Sequence, residues 1–214
     1  MPSDALVLGF DTSAAHCAAA LVSGARVLAQ AQEEMARGQA ERLMPLLQEL
    51  LAQGGAAWSD LAAIGVGIGP GNFTGIRISV AAARGVALGL GVPAIGVSVF
   101  EARAHGLPRP IHVVEDARRG MVYAQAFGDK PAEPLLLDLS DIGFAADTPV
   151  VGTGAALAAD QAGVPVLSSG VPLAVAIAQI AASRLGTSQP RPAPLYLRAP
   201  DAAPSNDPGP VMLS

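Results

Sequence analysis

The sequence feature that most restricts the fold is a strand–helix–strand unit between residues 61 and 99. Leu61–Ile68 is a continuous apolar run typical of a buried strand, and a glycine-rich loop follows it. Ile76–Leu90 is apolar and long enough for a helix, and Ala94–Val99 has the composition of a returning strand. Because a helical crossover joins parallel strands, we predict an α/β protein that contains a parallel sheet.

A second pattern, an apolar strand followed by an Asp-headed turn and a returning strand, occurs twice. Residues 6–22 align without gaps on residues 111–127, and Asp11 then falls on Asp116. We therefore predict two related lobes, each led by a β-hairpin with an Asp at its tip. This arrangement is similar to that of the actin, sugar-kinase and Hsp70 group, whose members hold nucleotide phosphates and a metal between the two tips.

Two helices of the first lobe carry more apolar surface than one sheet needs. Ala40–Leu51 has leucine and methionine at i, i+3, i+4 and i+7 spacing, and Ile76–Leu90 is apolar on nearly every side. We predict that the pair presents an apolar patch to another protein, although the first helix could also cover the second within this chain. The predicted interface residues are Leu43, Met44, Leu47, Phe73, Ile76, Arg77, Val80, Ala83 and Arg84.

A proline-rich stretch at residues 107–110 predicts the division between the lobes. We assign residues 1–106 to the first lobe with its interface helices, and residues 107–198 to a reduced second lobe. Pro172–Leu185 is almost wholly apolar and predicts a helix in the core of the second lobe. Residues 199–214 are rich in proline and small residues, which predicts a disordered tail.

Asp11, Thr12 and Asp116 are the candidate chemical groups at the two hairpin tips. They could be the remnant of a phosphate and metal site. The alternative is structural, because Asp and Thr in a turn commonly bond to their own neighbouring backbone. The sequence leaves both interpretations open.

The other polar residues do not form a pattern typical of catalysis. Gly69–Gly75 lacks the lysine of a phosphate-binding P-loop, so we expect Asn72 or Thr74 to cap the helix that follows. The three histidines include no pair at i, i+4 spacing, and the single cysteine can form no internal disulfide. We therefore predict no metal and no cofactor. No nucleophile-elbow pattern is present, but the residues alone leave a Ser/His/Asp grouping open.

Charge and hydropathy bear on RNA binding and on the cellular compartment. The net charge is -5 with a single lysine, Lys130, so an RNA contact would need help from a partner. No basic residue precedes the first apolar run, and the longest apolar stretch, Val80–Val99, is broken by Arg84 and Pro93. These features argue against a secretory signal and a membrane span, and predict a cytoplasmic protein.

Several segments resemble one protein family in both content and order. They are Gly69-Pro-Gly-Asn-Phe-Thr-Gly-Ile-Arg77, Asp116-Ala-Arg-Arg-Gly-Met-Val-Tyr123 and Tyr196-Leu-Arg198. They resemble the TsaB (YeaZ) family of bacterial accessory subunits in tRNA threonylcarbamoyladenosine synthesis. The sequence departs from the family where arginine, serine, glycine and histidine are common, at Ile68, Asn72, Ser79 and Gln39 respectively.

The resemblance implies two actin-like (ribonuclease H-like) lobes, the second reduced, and a subunit without catalytic residues. It implies that the subunit binds and stabilises the transferase TsaD, that the ATPase TsaE joins them, and that tRNA is met only through the complex. The same patch could pair two copies of this chain when TsaD is absent. Two other functions stay open: an ATPase or kinase-like enzyme that uses Asp11 and Asp116, and a glycoprotease-type peptidase.

Overall fold

A computed structural model describes residues 5–145 and 147–198. Two β-sheets organise this part of the chain, one in each lobe. The predicted disordered tail, residues 199–214, lies outside the described residues.

The first lobe is built on a five-stranded sheet. Its elements, in chain order, are β1 (Leu6–Asp11), β2 (His16–Ser23), β3 (Arg26–Glu34), α1 (Gln39–Gln53), β4 (Leu61–Gly67), α2 (Phe73–Leu90), β5 (Ala94–Val97) and α3 (Val99–Ala104). The strand order is β3-β2-β1-β4-β5. β1 is antiparallel to β2 but parallel to β4, and β4 is parallel to β5. The predicted crossover unit and parallel sheet are confirmed.

The second lobe repeats this plan with fewer strands. Its elements are β6 (Ile111–Asp116), β7 (Met121–Phe127), β8 (Leu135–Asp138), β9 (Val150–Val151) and α4 (Ala155–Ala162), and the last helix of the described chain is α5 (Leu173–Ser183). The order β8-β7-β6-β9 matches the first sheet without its fifth strand. β1 and β6 both end at an Asp and are offset as the sequence repeat predicted, so the fold is α/β with two actin-like lobes, the second reduced.

The helix predicted for the core of the second lobe lies elsewhere. α5 packs on β1, β2 and β4 of the first sheet. Val7, Ala63 and Ile95 lie on that face with Ala178 and Ala181 of α5. The prediction was wrong because an apolar helical sequence indicates that the helix is buried, but not which sheet it packs on.

Two glycines of the first sheet allow α5 to lie this close. A Cβ at Gly9 would lie 2.7 Å from the Ala178 Cβ, and a Cβ at Gly65 would lie 2.9 Å from the Ala181 Cβ. Both distances are well inside van der Waals contact. Glycine in the strands and alanine on the helix therefore bring the helix backbone directly onto the sheet.

The opposite face of the first sheet is covered by α1 and α2. Leu8 and Phe10 of the sheet share one core with leucines of α1 and with Ile76 and Val80 of α2. α1 continues without a break through Pro45. Proline has no N–H to donate to the carbonyl of the preceding turn, but Pro45 is exposed, so water can reach that carbonyl. The helix pair is thus held by its inner side, and the outer side of α2 is not covered by any of the described residues.

α2 is the one helix in the described residues that is long and apolar enough to cross a membrane by length and composition. Core helices of folded domains pass the same test. In this chain Ile76, Val80, Ala83 and Ala87 are buried in the first lobe. The apolar character of α2 therefore has an explanation within the fold.

We expect Gly9→Ala to lower the free energy of unfolding by about 1–3 kcal/mol, because the new methyl group overpacks the contact with α5. Gly89→Ala is the matched control, since no atom lies within 4 Å of a Cβ built there. That change should instead stabilise the chain by about 0.5–1 kcal/mol, as expected for Gly→Ala in an open helical position. Urea unfolding of both variants measures the difference. Equal stability of the Gly9→Ala variant and the parent would contradict the packing of α5.

Candidate docking surface and interlobe cleft

The hairpin tip of the first lobe is closed by its own hydrogen bonds. Asp11 is fully buried, and its Oδ1 accepts from the Ser13 backbone N–H at 2.9 Å and from the Ser13 hydroxyl at 2.8 Å. His16 Nε2 lies 2.9 Å from the same oxygen. Thr12 is also buried and donates to the Gly75 carbonyl at 2.7 Å. Asp11 and Thr12 therefore bond within the tip and to the start of α2, and neither lines the space between the lobes.

The second carboxylate oxygen of Asp11 points into the sheet. Asp11 Oδ2 is buried without a hydrogen-bond partner in the described structure. It lies against Gly67 at the end of β4, where even a methyl group would overlap the carboxylate. The glycine at 67 thus makes room for the Asp11 side chain inside the lobe.

The second hairpin tip is arranged differently. Asp116 is exposed, and its Oδ1 accepts from the Arg118 backbone N–H at 2.7 Å. Its own N–H donates to Thr153 Oγ1 at 2.9 Å. Asp116 lines a cleft of about 840 Å³ between the lobes, whereas Asp11 and Thr12 do not. The three residues predicted as a phosphate site are therefore not brought together around one cavity.

The turn after Asp116 is conformationally unusual. Arg118 and Arg119 have φ values of 63° and 58°, and Gly120 follows with 75°. Consecutive non-glycine residues in the left-handed region are uncommon and costly. Arg198 donates to the Ala117 carbonyl at 3.1 Å and so ties the end of the described chain to this turn. The Arg-Arg-Gly run is the only local signal for this turn in the sequence.

The start of α2 is fixed from both sides. Asn72 Oδ1 accepts from the Gly75 N–H at 2.9 Å, which confirms the predicted cap. The Arg77 guanidinium lies 3.7 Å from the centre of the Phe73 ring, and its Nε donates to the Tyr196 hydroxyl at 2.9 Å. The Phe73 and Tyr196 rings are 4.7 Å apart. These contacts fasten the segment around Tyr196 to α2.

The predicted interface residues separate into two groups. Five are buried in the core of this chain: Leu43, Leu47, Ile76, Val80 and Ala83. Four reach the surface in whole or in part: Met44, Phe73, Arg77 and Arg84. A docking surface on these helices must therefore use the second group and the outward neighbours of the first.

Those outward neighbours are small or apolar. Ala81, Gly85, Leu88 and Gly89 are exposed and follow one another along one side of α2. Leu88 is 81% exposed, and Met44 on α1 is 42% exposed. A Cβ built at Gly85 or Gly89 would meet no atom within 4 Å. We call Ala81, Gly85, Leu88 and Gly89 the outer face of α2.

The described residues offer little for nucleophilic or metal chemistry. Within residues 5–145 and 147–198 no three His, Cys, Asp or Glu side chains are placed to hold a metal ion. Burial and, to a lesser extent, the nearby Glu33 carboxylate together raise the pKa of the Cys17 thiol to about 11. This thiol is protonated at neutral pH and is therefore a poor nucleophile.

Comparison with known proteins gives two kinds of sequence match. The sequence model of the TsaD family, tRNA N6-adenosine threonylcarbamoyltransferase, matches residues 26–130. The tRNA threonylcarbamoyladenosine biosynthesis protein TsaB of Escherichia coli is 37% identical over 122 residues, which is 55% of this chain and 52% of that protein. The chain thus spans about half the length of this curated relative.

Longer matches come from a mycobacterial protein and from a solved structure. An uncharacterized protein of Mycobacterium tuberculosis is 33% identical over 203 residues, covering 92% of this chain and 94% of that protein. YeaZ from Pseudomonas aeruginosa superimposes with a TM-score of 0.72 at 26% identity, covering 90% of this chain and all of that one. The similarity therefore extends over both lobes.

We expect Asp11→Ala to lower the free energy of unfolding by about 1–3 kcal/mol, because Ser13 and His16 would lose a buried acceptor. Asp116→Ala is the matched control, since that carboxylate is exposed and accepts a single backbone bond. Its loss of stability should be clearly smaller. Thermal and urea unfolding compare the two variants, and equal effects would contradict a structural role for Asp11.

Proposed function

Because the chain belongs to the TsaB (YeaZ) family, we propose that it is a non-catalytic subunit of tRNA N6-threonylcarbamoyladenosine synthesis. In this proposal it binds and stabilises a TsaD-type threonylcarbamoyl transferase, and a TsaE-type ATPase joins the complex. It meets tRNA only as part of that complex.

The outer face of α2 carries the proposal. Glycine inside a helix costs about 0.5–1 kcal/mol relative to alanine, so a glycine there normally has a steric reason. Gly75 has one, because a Cβ at that position would overlap the Thr12 carbonyl. Gly85 and Gly89 have none within the described chain, where the space above them is open. A partner helix that packs directly on α2 supplies the missing reason.

Two exposed apolar side chains of the helix pair fit the same partner. Leu88 of α2 is 81% exposed, and Met44 of α1 is 42% exposed. Small residues flanked by large apolar ones let two helices approach closely and still bury area. A related helix pair on the partner would complete a four-helix arrangement with α1 and α2. The match of residues 26–130 to the TsaD family supports a partner that has such a pair.

The interlobe geometry supports a role without catalysis. In an enzyme of this fold both hairpin tips would face a shared nucleotide. Here Asp11 is sealed inside the first lobe by Ser13 and His16, and only Asp116 faces the cleft. Binding through α2 is then the activity that the chain retains. In the absence of a TsaD-type protein the same face could pair two copies of this chain.

We expect Gly85→Ala to have opposite effects on stability and on binding. In the isolated chain the change should stabilise α2 by about 0.5–1 kcal/mol, because nothing opposes the methyl group. In the complex the methyl group should hold the partner helix away and weaken the affinity about tenfold or more. Calorimetry with the TsaD-type protein from the same organism, alongside urea unfolding, measures both. Unchanged affinity would exclude a close helix contact at residue 85.

We expect Leu88→Glu to abolish co-purification with the TsaD-type protein while the chain stays folded. A carboxylate buried at an interface without a partner should weaken binding by at least about a hundredfold. Leu157→Glu on α4 is the matched control, because Leu157 is 48% exposed but lies in the second lobe. Normal binding by the Leu88→Glu variant would overturn the proposed docking face.

A further inference from the structure

The outer face of α2 is apolar, and no described residue covers it. Leu88 at its far end is the most exposed of the large apolar residues in the described chain. Gly85 and Gly89 beside it leave open space above the helix backbone. Apolar surface of this kind is unfavourable in water. An apolar segment of the same chain that reaches this face would therefore find a favourable site on it.

The last described residues bring the chain to the start of the same helix. Tyr196 accepts a hydrogen bond from Arg77 at 2.9 Å, and the centre of its ring lies 4.7 Å from that of Phe73. Arg77 is exposed and lies four residues before the first residue of the outer face, so it continues the same stripe of the helix. The segment that follows Tyr196 thus departs from one end of this stripe.

Residues 199–214 follow, and they lie outside the described residues. Their sequence holds one apolar run, which is Val211, Met212 and Leu213. The run begins 15 residues beyond Tyr196, and a chain of that length spans at most about 50 Å.

The distance to be covered is much shorter than this reach. Leu88 follows Arg77 by 11 residues, which corresponds to about 17 Å along a helix. The apolar run can therefore reach the far end of the outer face without moving any described element.

Charge favours the same contact. α2 carries two arginines and no acidic residue. Residues 199–214 contain two aspartates and no lysine or arginine. On α1, Glu49 is paired with Arg42, and Glu41 lines a groove beside the start of α2. Opposite charge on α2 and on the segment that follows Tyr196 thus favours their association.

We propose that Val211, Met212 and Leu213 lie against Leu88 on the outer face of α2 in the free chain, and that a TsaD-type protein must displace them. The proposal rests on the docking role of this face. A tethered segment acts at an effective concentration in the millimolar range, so a weak contact is enough to cover the face. The segment shields apolar surface in the free chain and lowers the apparent affinity for a partner.

The first test traps the contact within one molecule. The double variant L88C/M212C of the full chain is oxidised with diamide in the absence of any partner. We expect a disulfide inside a single chain, seen as a faster monomer band on a non-reducing gel and located by mass spectrometry. Cys17 is buried and stays out of this reaction.

The matched control is L157C/M212C. Leu157 is also exposed, but it lies on α4 in the second lobe. This pair should form its disulfide at least about tenfold more slowly, because the tethered run is concentrated at α2. Equal rates for the two pairs would overturn the proposal. Disulfides formed between two molecules of L88C/M212C would also overturn it and would make a second copy of the chain the occupant.

The second test measures the competition. V211D/L213D places two charges in the apolar run and leaves both helices unchanged. We expect it to bind the TsaD-type protein about threefold more tightly in calorimetry, because the competing segment is lost. A202D/A203D adds the same charge to the same segment and should not tighten binding.

Unchanged or weaker binding by V211D/L213D would contradict the proposed competition. The crosslinking test needs no partner protein. Failure of the parent chain to bind a TsaD-type protein would therefore overturn the docking role, while the disulfide rates still decide whether the run lies on α2.

Discussion

The packing of α5 on the first sheet determines which surfaces of the molecule are left for function. Gly9 and Gly65 let α5 lie directly on one face of this sheet, and α1 and α2 occupy the other. α5 comes from the second half of the chain, and α3 contacts both α5 and strands β6 and β7 of the second sheet. Because α1, α2 and α5 all pack on the first sheet, the outer face of α2 stays exposed in the described part of the chain.

The two hairpin tips have different surroundings. In the first lobe the Asp side chain is bonded to Ser13 and His16 and lies against Gly67, so it stabilises the lobe. In the second lobe the equivalent Asp is exposed and holds a turn that presents two arginines. The two aspartates therefore occupy equivalent positions but have different surroundings, one inside the first lobe and one on the cleft.

The sequence predicted the repeated framework well and the packing of its parts less well. The apolar runs of β1, β4 and β6 and the capped start of α2 are local patterns, and each element lies where its pattern predicted. β3 was missed because its polar residues alternate on a half-exposed edge strand, and β8 because residues 128–149 resemble a simple connection. The position of α5 depends on a glycine–alanine contact between distant segments, which no local pattern reveals. Periodicity identifies apolar helices, but it does not show which side of a helix faces the chain's own sheet. For this reason the predicted interface included five residues that are buried in the fold: Leu43, Leu47, Ile76, Val80 and Ala83.

Amide hydrogen exchange of this chain with and without a TsaD-type protein is the sharpest test of the proposed contact through α2. We expect exchange in residues 73–90 to slow on binding, with a smaller effect in α1 and none in the β6–β7 hairpin. Unchanged exchange throughout residues 73–90 in a complex that forms normally would exclude α2 as the contact.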